Sequence, residues 1–337
     1  MNKLFELCKK EGISGFEFEI GKYVRSLFAE HCDETEIDAL GNVIGILNKG
    51  KNHKIMLEAH LDEIGLMVKN IDDNGFISFV EIGGVDAAIL PSLEVYIHGK
   101  ERIFGVIGAK PPHLQEKDES EKIYKIDNLF IDTGYNADEI KALINIGDAI
   151  TFSAKSTQLM GGKIATKSID NRMGVYVLVE CLKRLKNQTI NSEVVALASV
   201  QEEVGCRGAK VGAYKIEPDC AIVIDVTHGV SPYTTSNEGF ELGSGVAIAV
   251  GPNLHPDLTQ KMIDVAENNN IPYTIEVCAG HSGTDAWQIQ ISKKGINCIL
   301  VSTPLRYMHT SVETVQMSDI DAVINTICTF IEGGGVC

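Results

Sequence analysis

The chain has 337 residues, enough for one large domain or two smaller ones, and its 44% apolar and 23% charged content is that of an ordinary soluble globular protein. Its 46 acidic residues outnumber 30 basic ones, for a net charge of −16 with no offsetting basic cluster, which makes nucleic-acid backbones and anionic membrane surfaces poor partners. No stretch approaches the ~20 apolar residues that span a bilayer, and the nine scattered cysteines, without a CxxC pair, suit reduced thiols in a cytoplasm better than a disulfide framework or a thiolate zinc site.

In chain order, "MNKLFELCKKEGISG" lacks the apolar run of a signal peptide and reads as a short helix ending near Gly12. "KIMLEA" (54–59) is a first buried strand. From about residue 67 to 163 the texture changes. "DDNGF" carries a hairpin signal at Asn74-Gly75. Glycine-punctuated β runs follow in "GFISFVEIGG", "LEVYIHG" and "RIFGVIG", then a polar loop, "KPPHLQEKDESEK", and a short helix, "NADEIKALI". After this segment, "NRMGVYVLVECLKRLKN" sets Val175, Leu178, Val179, Leu182 and Leu185 on one helical face. Apolar strand runs then recur in "VVALASV" (194–200), "AIVIDV" (221–226), "VAIAVG" (246–251) and "NCILVS" (297–302). Helical patterns lie in "HPDLTQKMIDVAENNN" and in the terminal "SDIDAVINTICTFIEG", with Ser318 as the expected N-cap. Alternating buried strands and helices predict an α/β fold with a mostly parallel sheet flanked by helices. The expected division is residues 1–66 plus 164–337 for the α/β domain, with 67–163 as a small β-rich insert joined through surface loops.

Polar residues of ligand type sit at or just past the ends of the apolar runs: "LEAHLDEIG" (57–65), "SVQEEVG" (199–205), "VIDVTHG" (223–229) and "LRYMHTSVE" (305–313). "KSIDNRMG" (167–174) opens a helix. Singly, each has a plain alternative. His60 and His309 could be satisfied or surface histidines, Asp170 a helix N-cap, and Glu202–Glu203 a solvated strand end. Asp225, inside a buried run, needs a partner, and a cation is one of few available. Together, at the carboxyl ends of one sheet, they make one site. Two histidines and three carboxylates exceed the needs of one catalytic zinc and suit two Zn²⁺ or Co²⁺ ions ~3.5–4 Å apart sharing a carboxylate. Asp62 could orient His60. Glu203 can be the ligand and Glu202 the base for a metal-bound water, provided the chain turns at the strand end, since adjacent strand residues point apart.

These motifs resemble the tetrahedral dinuclear metallo-aminopeptidases, a family that includes glutamyl and leucyl aminopeptidases and some bacterial members named endoglucanases. The resemblance runs through "GISGFE", "DALGNVIG", "EAHLDEIGLMV", "IDNRMG", "QEEVGCRGA", "SGTDAWQIQIS" and "PLRYMHT", almost the whole chain. It implies metal ligands at His60, Asp170, Glu203, Asp225 and His309, with Asp170 bridging, a general base at Glu202 and a histidine-orienting carboxylate at Asp62. It also implies cytoplasmic release of N-terminal residues from short peptides. A PDZ-like β insert would help form dimers that build a dodecamer. "AGHS" replaces the glycine run that many archaeal members carry before "GTDA", which leaves His281 either a loop residue or a wall of the substrate pocket. A metal-dependent deacylase or amidase would use the same site. An endoglucanase would leave His60, Asp225 and His309 without a role, and a non-catalytic metal-binding assembly protein would not need Glu202.

Overall fold

The computed structural model describes residues 1–114, 124–153, 155–232, 234 and 239–334; most of the polar loop that begins at Lys110 lies outside them. The strands are β1 (Glu34–Ile37), β2 (Val43–Leu47), β3 (His53–His60), β4 (Gly65–Ile71), β5 (Ile77–Ile82), β6 (Glu94–His98), β7 (Arg102–Gly108), β8 (Phe130–Asp132), β9 (Ala149–Phe152), β10 (Thr157–Gln158), β11 (Lys163–Thr166), β12 (Ser192–Ser199), β13 (Cys220–His228), β14 (Val246–Val250), β15 (Tyr273–Val277), β16 (Asn297–Arg306) and β17 (Glu313–Gln316). The helices are α1 (Asn2–Lys9), α2 (Phe18–Ala29), α3 (Ala137–Leu143), α4 (Ile169–Leu185), α5 (Arg207–Ile216), α6 (Pro256–Asn268), α7 (Ala286–Ile289) and α8 (Met317–Glu332).

One large sheet runs β1-β2-β12-β3-β13-β16-β17-β11-β10, with β14 joining β16 to β15. Only its centre is parallel: β12 with β3, β3 with β13 and β13 with β16, to which β14–β15 adds a fourth parallel pair. The flanks are antiparallel. The sheet is therefore mixed rather than mostly parallel. The apolar runs reveal strands covered on both faces, and they mark the parallel centre well. The short, partly polar strands β1, β10, β11 and β17 carry no such signal.

Alternation within the central strands feeds two cores. Val194, Ala196 and Ala198 of β12 face α1, α2, α4, α6 and α8, while Val195 and Leu197 face α5 and α7. Val175, Leu178, Val179, Leu182 and Leu185 of α4 are all buried in the first core, and fully burying each aliphatic side chain contributes ~1.5–3 kcal/mol. Ser318 does not cap α8. The helix starts at Met317 without a side-chain cap, and the neighbouring Asp319 instead accepts the Gly243 and Gly245 N–H groups at 2.7 and 2.9 Å.

The β-rich segment is a closed six-stranded barrel, β4-β5-β8-β7-β6-β9, around its own core of Leu66, Phe79, Val95, Ile97, Ile131 and Ile150. The hairpin forms at Asn74-Gly75: Asp72 accepts the Asn74 and Phe76 N–H groups, and Gly75 takes φ +94. Asn136 and Glu139 make a capping box for α3. The barrel strands span residues 65–152, and β10 and β11 already pair in the large sheet. The texture change near residue 163 therefore falls late. Gly161 and Gly162 continue the insert's glycine punctuation although the chain has already returned to the sheet.

Candidate metal centre

The parallel register gathers the polar strand ends. His60 closes β3 opposite Ser199 of β12. Asp225 lies two residues past the Val223–Glu58 pair on β13. Beyond β12 the chain breaks at Gln201, which adopts φ +59. The Glu202 carbonyl then accepts the Gly205 and Cys206 N–H groups at 2.8 and 2.9 Å. Glu202 and Glu203 therefore sit in a turn, and both line the same cleft. Fully buried Asp62 holds that turn. Its carboxylate accepts Glu202 N–H at 3.0 Å, Glu203 N–H at 3.2 Å and the Ser14 hydroxyl at 2.6 Å.

Asp170 is not the cap of α4. The capping bond comes from Asn171, whose Oδ1 accepts Gly174 N–H at 3.0 Å while its amide donates to the Ile224 carbonyl at 2.7 Å. The Asp170 carboxylate is freed to face two histidines. Oδ1 lies 3.1 Å from His60 Nε2, and Oδ2 lies 3.3 Å from His309 Nε2. His309 Nε2 is also 3.3 Å from Glu203 Oε1. His309 Nδ1 donates to the Gly84 carbonyl at 3.0 Å, which leaves Nε2 facing Asp170 and Glu203. His60 Nδ1 is 3.6 Å from Asp62, just beyond hydrogen-bond distance.

Four supports of this arrangement have no local sequence signature. Glu313 accepts the Asp170 and His309 N–H groups at 3.1 and 2.9 Å, so one buried side chain positions both segments. Gly83 and Gly84, between the barrel and the sheet, lie against Glu203 and His309 so closely that an added Cβ would meet them at 3.1 and 2.8 Å. Behind the cleft, Glu63 binds Lys167 and Ser168, accepts Gly12 N–H at 3.1 Å and lies 3.8 Å from Arg172. Deeper still, Glu58 is fully buried beside Asp285, and burial first, then the Asp285 charge, drives the Glu58 carboxyl well above its usual range. Ser14 and Glu313 fall inside the quoted motifs, but only tertiary structure reveals what they touch.

The cleft has a volume of about 470 Å³ and is lined by His60, Asp170, Glu202, Glu203, Asp225 and His309, and by His281, whose ring packs on Trp287. No lysine or arginine is among its lining residues. Burial, reinforced by Asp285, Glu203 and Asp62 against the pull of His60, pushes Glu202 up to about 8. Burial also raises Glu203, and it raises Asp225 well above the carboxylate range with Asp170 and Glu202 adding to the effect. Burial opposes ionisation of Asp170 and His309 as well, yet their mutual contacts win: the two histidines hold Asp170 low, and Asp170 with Glu203 lifts His309 to about 11. Four carboxylates thus share two imidazoles. His60, Asp170 and Glu203 each present a ligand atom within 4.8 Å of the others. Converging carboxylate oxygens and imidazole nitrogens, with no ammonium or guanidinium to neutralise them, fit divalent cations of the zinc or cobalt kind.

A family model described as M42 glutamyl aminopeptidase matches residues 41–326. A lysyl aminopeptidase of Pyrococcus furiosus is 36% identical over 339 residues, covering 97% of this chain and 96% of that protein. The TET1 peptidase of Pyrococcus horikoshii, described as assembling into a tetrahedron or a large octahedral shell, superposes with a TM-score of 0.87 at 31% identity over 98% of each chain. A Thermotoga maritima structure described as an endoglucanase gives a TM-score of 0.80 at 28% identity, covering 98% of this chain and 97% of that one.

Proposed function

This chain belongs to the M42 glutamyl aminopeptidase family and is a peptide hydrolase, and from that premise we propose that it releases N-terminal residues from short peptides at a two-metal centre. His60, Asp170, Glu203, Asp225 and His309 are the ligands in this reading, and Asp170 is the bridge. The observation that carries it is the two-sided Asp170 carboxylate, one oxygen toward His60 and the other toward His309. Two Zn²⁺ or Co²⁺ ions bound there would supply the Lewis acidity that polarises a scissile carbonyl and acidifies an attacking water.

The chain's own groups do the rest. Glu202 Oε1 accepts the Cys206 thiol at 3.3 Å, which leaves Oε2 to take the proton from the water and return it to the departing amine nitrogen. Asp62 positions Glu202 and Glu203 through their N–H groups and stands behind His60. Membership of an aminopeptidase family favours a free peptide amino terminus over a blocked one, and with it an aminopeptidase over an amidase or deacylase. An endoglucanase would leave without a role the two imidazoles that meet Asp170, which favours the peptidase reading.

The barrel, drawn as residues 67–163 from sequence texture, is proposed as the element through which dimers form and build a dodecamer. The shell described for the horikoshii relative supports this, and light scattering on the intact chain tests it. No described helix is long and apolar enough to cross a membrane. A cytoplasmic setting agrees with the absence of a disulfide among the eight described cysteines.

The test compares Glu202→Gln with Glu203→Gln. Glu202→Gln should keep both metals and lose ~10²–10⁴-fold in kcat. Glu203→Gln should lose metal first and regain rate in excess Zn²⁺ or Co²⁺. Reversed behaviour would exchange the roles, and full activity in both at normal metal content would remove both. Free and N-acetylated peptides assayed side by side decide between aminopeptidase and amidase.

A further inference from the structure

Behind Glu202 lies a second set of donors, of which peptide hydrolysis uses only Glu202. One ligand atom from each of Glu202, Cys206 and Asp285 lies within 4.8 Å of the others. The Cys206 sulfur is 3.3 Å from Glu202 Oε1. Asp285 is 1% exposed; its Oδ2 accepts the Ser199 hydroxyl at 2.8 Å, and its Oδ1 has no hydrogen-bond partner. Glu202 and Cys206 both line the cleft, so an ion in the cleft reaches them without opening the core.

We propose that Glu202, Cys206 and Asp285 form a third cation site, selective for borderline or soft divalent ions such as Zn²⁺ and Cd²⁺, whose filling inhibits the enzyme. Two carboxylates and a sulfur are donors for such ions, whereas Mg²⁺ and Ca²⁺ gain little from sulfur. In a tetrahedral zinc site, with Zn–O of ~2.1 Å and Zn–S of ~2.3 Å, ligand atoms stand about 3.6 Å apart. The sulfur and Glu202 already meet that spacing, and a ligand atom of Asp285 lies within 4.8 Å of both. On binding, the Cys206 S–H bond breaks, a sulfur–metal bond forms, and the proton leaves to water with no change of oxidation state. Cys206 sits at the turn before α5 with φ +55, buried, with its sulfur against the Glu202 carboxylate. A cation held by the Glu202 carboxylate prevents that group from taking a proton. The inhibition therefore rests on Glu202 being the base, whereas the site does not.

The test uses the intact enzyme loaded with two equivalents of Zn²⁺ and then titrated with Cd²⁺. The assigned ligands of the two-metal centre contain no sulfur, so an ultraviolet thiolate-to-cadmium charge-transfer band reports a thiol. Wild-type protein should develop the band as a third equivalent binds, measured by equilibrium dialysis. Cys206→Ser and Cys206→Ala should lose the band and bind the third ion at least tenfold more weakly, while Cys278→Ser keeps both. Excess Zn²⁺ should inhibit wild type at a concentration at least tenfold below that needed for the Cys206 variants, each scored against its own uninhibited rate. A band absent from wild type, or one surviving both Cys206 substitutions, overturns the site. A Cys206-dependent third ion that leaves peptidase activity intact upholds the site and overturns Glu202 as the proton carrier.

Discussion

Replacing Asp62 with asparagine tests whether the turn carrying the two glutamates is held from below. The carboxylate is fully buried and accepts three hydrogen bonds, at 2.6 Å from Ser14, 3.0 Å from Glu202 and 3.2 Å from Glu203. Asparagine keeps the shape but has one acceptor oxygen. When that oxygen serves one glutamate N–H, the amide NH₂ faces the other. Ser14 can rotate its hydroxyl to accept, but a backbone N–H cannot, and a buried donor left unpaired costs ~1–3 kcal/mol. Loss of the negative charge behind His60 adds to this. A total near 2–3 kcal/mol corresponds to a fall in Tm of roughly 5 °C for a chain of this size. Because the same carboxylate fixes the Glu202 and Glu203 backbone, metal affinity or kcat should drop ~10–100-fold. Scanning calorimetry with metal analysis and peptide kinetics measures both. A variant that melts with wild type and keeps its metal and kcat would refute the idea that Asp62 organises the site.

His60→Ala and His309→Ala should each lower metal content from two ions per chain, read by elemental analysis; unchanged content clears the substituted histidine of any ligand role. Gly84→Ala would set a Cβ 2.8 Å from His309 Nδ1, and moving a site group by ~1 Å can cost ~100-fold in rate. The variant should keep its far-ultraviolet circular dichroism yet lose activity, and wild-type turnover would show the contact to be dispensable. Burial first and the Asp62 charge second push Glu17 up to about 7, against 4.5 for the unperturbed group. An acid with a raised native value loses stability as pH climbs from the unfolded to the native value, here on the order of 3 kcal/mol between about 4.5 and 7. Glu17→Gln still accepts the Gln201 N–H and should shrink the difference in denaturant stability between pH 5 and pH 8. An unaltered difference would show that Glu17 does not carry this pH dependence.

What the sequence made legible is what burial writes locally. The continuous apolar runs mark the parallel centre of the sheet, and residues at their ends, His60, Glu202, Glu203 and Asp225, meet in one cleft because parallel strands end together. Asp170 could not be separated from an N-cap by composition, since Asp and Asn stand side by side and both suit that position. The backbone decides it, with Asn171 taking the capping bond. Glu313 and Asp62 act through bonds to backbone N–H groups brought close only by the fold, and no spacing rule exposes such pairs. The antiparallel flanks stayed hidden for the opposite reason. Strands as short as Thr157–Gln158 owe their existence to a neighbour rather than to their own residues.

The Gly84 carbonyl belongs by chain position to the barrel side of the molecule, yet it holds the ring of a histidine 225 residues further on. A tether of that kind acts in both directions, because coupling free energy between two sites is reciprocal. If binding at the barrel changes affinity at the His309 imidazole, binding at that imidazole changes affinity at the barrel by the same factor. Amide hydrogen exchange in β4 and β5 should therefore slow when the distant cleft is filled. The barrel and the sheet thus meet at this histidine although each has its own hydrophobic core.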